Sequence, residues 1–282
     1  MNKALSSLFL LFFLAAAPPV GASPSYVVLQ DLDEDSLIRV SADGKSVTTI
    51  ASGAAGVGLA RDRKGDYVVA ARSALLRVTR SGVVTTIAKA PPGSEWVAVV
   101  ADAEGNLIVA DDTQHAVWRV AEDGNSILMI ARHPGYLRKQ LWGAIGLAVE
   151  KSGDYLLLRE GDKRTLEFYR VTPAGAVSKI PLSGATLRFG GAMLPDEAGN
   201  YLFASCSPAI FRITPKGVIS ELIRLDDTYR YLSALARNPE TGEFVGARLQ
   251  WIVRVGEGLS ATDLTSSPKV RIPMAILAET GN

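Results

Sequence analysis

Two glycine-centred turns alternate along this chain, and their rhythm limits the fold more than any other feature. The first turn falls at Gly65, Gly105, Gly153, Gly199 and Gly242, at spacings of 40, 48, 46 and 43 residues. A polar residue and an apolar pair follow it each time. The second turn falls at Gly44, Gly82, Gly124, Gly175, Gly217 and Gly256. Glycine suits both series because a hairpin turn needs positive φ, which other residues adopt only with strain.

Between the turns lie short runs such as "LLRVT", "VVTTIA", "VWRVA", "ILMIA" and "FRIT". Valine, isoleucine, threonine and aromatics dominate them, and Gly, Pro and Asp stand at their borders, which reads as strand. The unit is strand A, first turn, strand B, variable loop, strand C, second turn, strand D. A four-stranded unit of about 40–45 residues is a propeller blade.

The count predicts six blades. The opening stretch "SYVVLQDLDEDSLIRVSADGKSVTTIA" supplies strands B, C and D but no A. The closing stretch "AILAETGN" supplies an A strand and its turn, with nothing after. Joined, they complete one blade. The fold expected is therefore an all-β, six-bladed β-propeller of four-stranded antiparallel blades, closed by the C-terminal strand joining the N-terminal blade. Closure of this kind leaves no open seam.

Residues 1–22 stand apart. Met1, Asn2 and Lys3 give a positive start, residues 4–17 are an apolar run of fourteen, and "PPVGA" follows. This reads as a secretory signal peptide cut after Ala22. The run is short of the roughly 20 residues a membrane anchor needs. The mature chain, 23–282, is then a single domain, exported to the periplasm or beyond and expected to be monomeric. Cys206 is the one cysteine, so no intrachain disulfide forms. With 30 Lys plus Arg against 29 Asp plus Glu, no basic field exists to draw nucleic acid.

The stretches "GLARDRKGDYVVAA", "LLRVTRSGVVTTIA" and "VVADAEGNLIVADDTQHAVWRVAEDG" resemble NHL repeats. More broadly they resemble the six-bladed TolB-like propellers, which include gluconolactonase-type proteins and virginiamycin B lyase. The resemblance spans nearly all of 23–282 and is specific for fold rather than function.

Antiparallel strands sort the loops onto two ends. The A–B and C–D glycine turns share one end and are monotonous. The B–C loops ("QDLDEDS", "ARSA", "DDTQHA", "REGDKRT", "SCSPA", "RLQW") share the other with D–A segments such as "KAPPGSEW" and "RHPGYLRKQLWG". Variable loops on a rigid ring are where function usually resides. This face gathers aromatic and guanidinium groups, the residue types that dominate binding hot spots. Trp96, Trp142, Arg159, Tyr231 and Arg248 are the candidate contact residues, with Asp111 as a polar anchor. The competing account of the aromatics is that they begin A strands and pack between blades. The longest D–A loop, residues 131–146, carries His133, Arg138, Lys139 and Trp142 and reads equally as a lid, a docking ridge or a solvated loop.

The resemblance to gluconolactonase-type proteins implies a divalent ion, calcium or magnesium, held at the channel by Glu, Asn and Asp. No residue-by-residue match to that pattern is found, although Asp111, Glu160 and Glu95 fall near the mouth. "DLDED", residues 31–35, lacks the glycine and distant glutamate of a calcium loop. His115, beside Asp111 and Asp112, is the best acid–base candidate, and it also fits a structural role capping the loop into strand C. No nucleophile elbow, phosphate loop or zinc spacing is present. Two readings remain. One is a binding module without cofactor, for a small molecule or protein partner. The other is a metal-dependent lactonase, hydrolase or lyase at the channel.

Overall fold

The computed structural model describes residues 25–30, 35–132, 146–161, 165–185, 193–204, 207–226, 232, 234–238, 241–248, 251–255, 261–265, 267, 269–270 and 273–279. The regular elements among them are all β-strands. Blade one holds β1 (Ser25–Gln30), β2 (Ser36–Ser41) and β3 (Val47–Ser52). Blade two is β4 (Gly58–Arg61), β5 (Tyr67–Ala70), β6 (Ala74–Val78) and β7 (Val84–Lys89). Blade three is β8 (Trp96–Ala101), β9 (Leu107–Asp111), β10 (Ala116–Val120) and β11 (Ile127–Arg132). Blade four is β12 (Gly146–Val149), β13 (Tyr155–Glu160), β14 (Leu166–Val171) and β15 (Val177–Ile180). Blade five has a short extra strand, β16 (Ser183–Gly184), before β17 (Met193–Pro195), β18 (Tyr201–Ala204), β19 (Ala209–Ile213) and β20 (Val218–Arg224). Blade six is β21 (Ala234–Arg237), β22 (Phe244–Arg248), β23 (Trp251–Val255) and β24 (Ala261–Thr265), and β25 (Pro273–Glu279) ends the series.

The expected closure is present. The first sheet runs β25-β1-β2-β3, antiparallel throughout. Tyr26 faces Ala278, Val28 faces Ile276 and Leu29 faces Ala275. Around the axis, each inner strand lies beside the next: β25, β4, β8, β12, β17, β21, and back to β25. Six sheets thus form a continuous ring. One detail was not foreseen: β16 pairs in parallel with β20, so the segment leaving blade four first covers the outer edge of blade five.

The core is divided in the same way as the ring. Buried apolar residues fall into six clusters, and each spans two adjacent blades. Side-chain alternation along a strand explains this. Val27 and Leu29 pack toward blade two, whereas Tyr26 and Val28 pack toward blade six. The B strands of blades two and five, covered on both faces, are apolar at every position: the wholly buried "YVVA" of β5 and "YLFA" of β18. Each such aliphatic contributes roughly 1.5–3 kcal/mol by leaving water.

The two glycine series do different work. An ideal Cβ placed on Gly82, which has φ +91°, would lie 2.1 Å from the carbonyl oxygen of Ile50 in blade one. Gly44, Gly124, Gly175 and Gly217 press in the same way on the backbone of the blade before them. Those turns are therefore also close blade-to-blade contacts. Gly153, from the first series, has φ +90° and nothing within 4 Å of the added Cβ.

A ring of arginines underlies the same end. Every C strand carries one: Arg39, Arg77, Arg119, Arg170, Arg212 and Arg254. Within their own blades, Arg77 pairs with Asp62 at 2.8 Å, Arg170 with Glu150 at 2.6 Å and Arg212 with Asp196 at 3.4 Å. Several arginines of the ring also reach forward. Arg77 donates to the Glu122 carbonyl of blade three, Arg170 to that of Pro215 in blade five, and Arg254 to that of Ala42 in blade one. Arg119 donates instead to the Tyr155 hydroxyl of blade four. Each guanidinium offers several fixed donors, so one side chain satisfies two blades at once.

Candidate functional site

The variable end differs from the glycine end in backbone as well as sequence. Asp35, Arg72 and His115 are the non-glycine residues with positive φ among those described, at 40°, 56° and 50°. All three stand where a B–C loop enters strand C, in blades one, two and three. Such conformations cost of order 1–3 kcal/mol each and tend to mark working sites.

The strained Arg72 is held by its neighbour blade. Its N–H donates to the Trp96 carbonyl at 3.1 Å, and the Trp96 N–H donates back to the Arg72 carbonyl at 2.8 Å. Its guanidinium meets Glu95 at 2.6 Å. Thr113 also donates to Glu95, at 3.3 Å. Blade two is therefore pinned to blade three at the rim.

Blade three supplies the acids. Asp111 ends β9 and is 2% exposed. One carboxylate oxygen accepts from the backbone N–H groups of Glu95 (3.1 Å) and Gln114 (2.9 Å), and the other from the Trp118 indole at 2.9 Å. Asp111 thus serves as a buried clasp between strand and loop, with its acceptor positions occupied by protein donors. The adjacent Asp112 is different. Its backbone N–H donates to the Glu95 carbonyl at 3.0 Å, but its carboxylate accepts no hydrogen bond from the described residues. Burial, then the charges of Glu95 and Asp111, push its pKa up to about 6, against the pull of Arg159 and Arg72. Asp112 is the residue that sequence reasoning passed over. The paired acids of "DDTQHA" were its signal, but its environment comes from three blades.

Blade four adds Arg159, at the end of β13. Its guanidinium donates to Glu167 at 3.2 and 3.1 Å and lies 5.5 Å from the centre of the Tyr169 ring. Glu167 also accepts from Lys179 and Tyr169. Burial pushes Glu167 up, and the donors Lys179, Tyr169 and Arg159 bring it below its ordinary value.

Of the candidate residues, Trp96, Asp111 and Arg159 come together in this sector of blades two to four. Trp96 is wholly buried in the cluster between blades two and three, the position expected of an aromatic that begins an A strand. Trp142 and Tyr231 lie outside the described residues, as do Cys206 and residues 1–22, where a signal peptide is expected. Arg248 ends β22 opposite Trp251, with its side chain outside the description, and the Glu160 side chain is likewise outside it. Among the described residues no three His, Cys, Asp or Glu side chains converge as a metal site.

Ring, blades and closure define the class: this is a six-bladed β-propeller. No protein-family model matches the sequence, and no curated relative does. Solved structures match in fold. A chain of the nidogen/laminin complex superposes with a TM-score of 0.71 at 11% identity, covering 92% of this chain and 100% of that one. A protein provisionally assigned as a gluconolactonase gives 0.61 at 14% identity, over 86% and 94%. Virginiamycin B lyase from Staphylococcus aureus gives 0.57 at 14% identity, over 90% and 78%. Proteins of this architecture thus include both a member of a nidogen/laminin complex and a lyase, and the likeness is one of fold.

Proposed function

We propose that this chain is an exported binding module that takes a small polar ligand on its variable-loop face, in the sector of blades two to four. The observation that carries the reading is the convergence of Arg72, Glu95, Asp112 and Arg159 from three blades around a half-buried carboxylate. Structural ion pairs elsewhere in the ring, such as Arg77 with Asp62, are closed pairs. Here the acid count exceeds the cations that face it, and the neighbouring backbone is strained. The test is a thermal-shift screen of small polar metabolites of each charge class. A bound ligand raises Tm. Hits whose shift disappears in both Arg72→Ala and Asp112→Asn support the reading. Hits that ignore both substitutions overturn it.

A second reading, a metal-assisted lactonase or lyase, is favoured by the lyase and gluconolactonase folds and by an acid whose pKa is pushed up to about 6. Calcium or magnesium would then raise Tm, and Asp112→Asn or Glu160→Gln would abolish the rise. An unchanged Tm across both cations would count against it.

A further inference from the structure

Among the described residues, five large apolar side chains stand exposed: Val83, Ile127, Leu128, Val177 and Val218. Each follows a second-series glycine, Gly82, Gly124, Gly175 or Gly217, by one to four positions. All five therefore lie on the outer rim of the glycine-turn end, in blades two to five, and none lies on the variable face. A hairpin turn asks for glycine at its tip and not for an apolar side chain beside it. Blade four goes furthest, with Pro173, Ala174, Ala176 and Val177 all exposed around Gly175. Exposed apolar groups gathered on one end of a molecule mark a contact surface.

That surface is flat. The turns occupy equivalent places in successive blades, and Gly82, Gly124 and Gly175 each abut the blade before them. Their tips therefore stand at one level around four of the six blades. A plane meets all of them at once, whereas an added peptide strand covers the edge of a single blade. Charge says what the plane is. In the described turns of blades one and two, Lys45, Arg63, Lys64 and Arg80 are exposed, and Asp43 is the one exposed acid. The chain also enters the ring here. Ser25, the first residue of β1, pairs with Ser41 and Glu279 at this end, so the apolar run of residues 4–17 leads in beside the basic turns.

We infer that the glycine-turn end rests on the surface of an anionic lipid bilayer. The rim residues Val83, Ile127, Leu128, Val177 and Val218 reach the boundary between headgroups and acyl chains, and the basic turns of blades one and two meet the headgroups. This goes beyond the proposed binding role and does not depend on it. It turns the variable-loop face away from the lipid and leaves it open to ligand.

The experiment sediments the exported chain, cut after Ala22, with vesicles of phosphatidylcholine alone or of phosphatidylcholine and phosphatidylglycerol in equal parts. The mixed vesicles are expected to carry the chain down, and added salt to release part of it. Combining Val83→Asp, Val177→Asp and Val218→Asp is expected to lower the ratio of bound to free chain at least about tenfold. Arg63→Ser with Lys64→Ser should lower it by about tenfold or more. Pro92→Asp, on the variable face, should leave it unchanged. Hydrogen exchange checks the same surface without any substitution. Mixed vesicles should slow exchange at residues 80–85 and 215–219 and leave residues 111–115 as they were. Failure to sediment with either vesicle, or slowing confined to the variable loops, overturns the inference and leaves the ligand-binding role standing. A chain that ignores vesicles but doubles its mass in solution, and returns to single mass in the triple variant, assigns the rim to a second copy and also overturns it.

Discussion

Glu279 and Arg39 are separated by 240 residues and meet at 2.8 Å, where the last described strand of the chain joins the first blade. The same carboxylate accepts from Ser25 at 2.8 Å and from Tyr67 of blade two, and pairs with Arg61 at 3.2 Å. It therefore ties β25 to its own blade and to the next. Glu279→Gln leaves the shape and removes the charge. Charge-assisted bonds of this kind suggest a loss of about 2–3 kcal/mol in urea unfolding.

The pH dependence follows from the same contacts. Burial pushes Glu279 up, but the donors Arg39, Tyr67 and Ser25 and the charge of Arg39 outweigh it, and its pKa falls to about 2. A depressed folded pKa stabilises above the ordinary value of 4.5 and loses that contribution as pH falls toward 2. The acid slope of stability in this window is expected to flatten in Glu279→Gln. An unchanged slope would mean the carboxylate is not held as described.

Gly82→Ala and Gly153→Ala separate the two turn series. Both change a residue near φ +90°, so both incur backbone strain of about 1 kcal/mol. Only Gly82→Ala also drives a methyl group into the Ile50 carbonyl. Chemical denaturation should show Gly82→Ala as the more destabilising by at least about 2 kcal/mol. Equal losses would contradict the close contact between blades.

Arg77→Ala tests the arginine ring. It leaves the Asp62 side chain, which has no exposed surface, without its ion-pair partner, and it removes the bond to Glu122. Breaking a buried pair from one side costs about 3–5 kcal/mol. Asp62→Asn added to Arg77→Ala should recover part of the loss, because the stranded charge is gone. A double variant no better than the single would mean the arginine acts through packing alone.

Blade number and closure were legible because their requirements are local. A hairpin turn asks for glycine at the turn itself, and a missing strand A at one end matched a spare one at the other. The second duty of Gly82 was not legible, since Ile50 touches it only after the blades pack. Every C strand shows an arginine before its last apolar position, yet the partners Asp62 and Glu122 come from another strand and another blade. The same limit governs the site. Trp96 as an aromatic and Asp111 as an acid could be read, but burial of one and saturation of the other are tertiary facts. Asp112 acquires its character from burial and from the charge of Glu95, neither of which has a fixed spacing to it in sequence.

Asp112 also burdens the fold. Its folded pKa is raised above its ordinary 3.8, so it favours the folded state at low pH and that contribution is lost as pH rises through about 6. Asp112→Asn should therefore raise stability at pH 7.5 by about 1 kcal/mol, after allowing for solvent screening, and change little at pH 4. Under the proposed binding role, Asp112 is retained at a cost in stability, which is the usual trade.

The most direct measurement is an NMR titration of the Asp112 side-chain carboxyl in the folded protein. Gathered beside Glu95 and Asp111 in a half-buried sector, it should titrate near pH 6, and Glu95→Gln should lower that midpoint. A midpoint close to 3.8, unmoved by Glu95→Gln, would show an ordinary solvated loop where a binding sector is proposed.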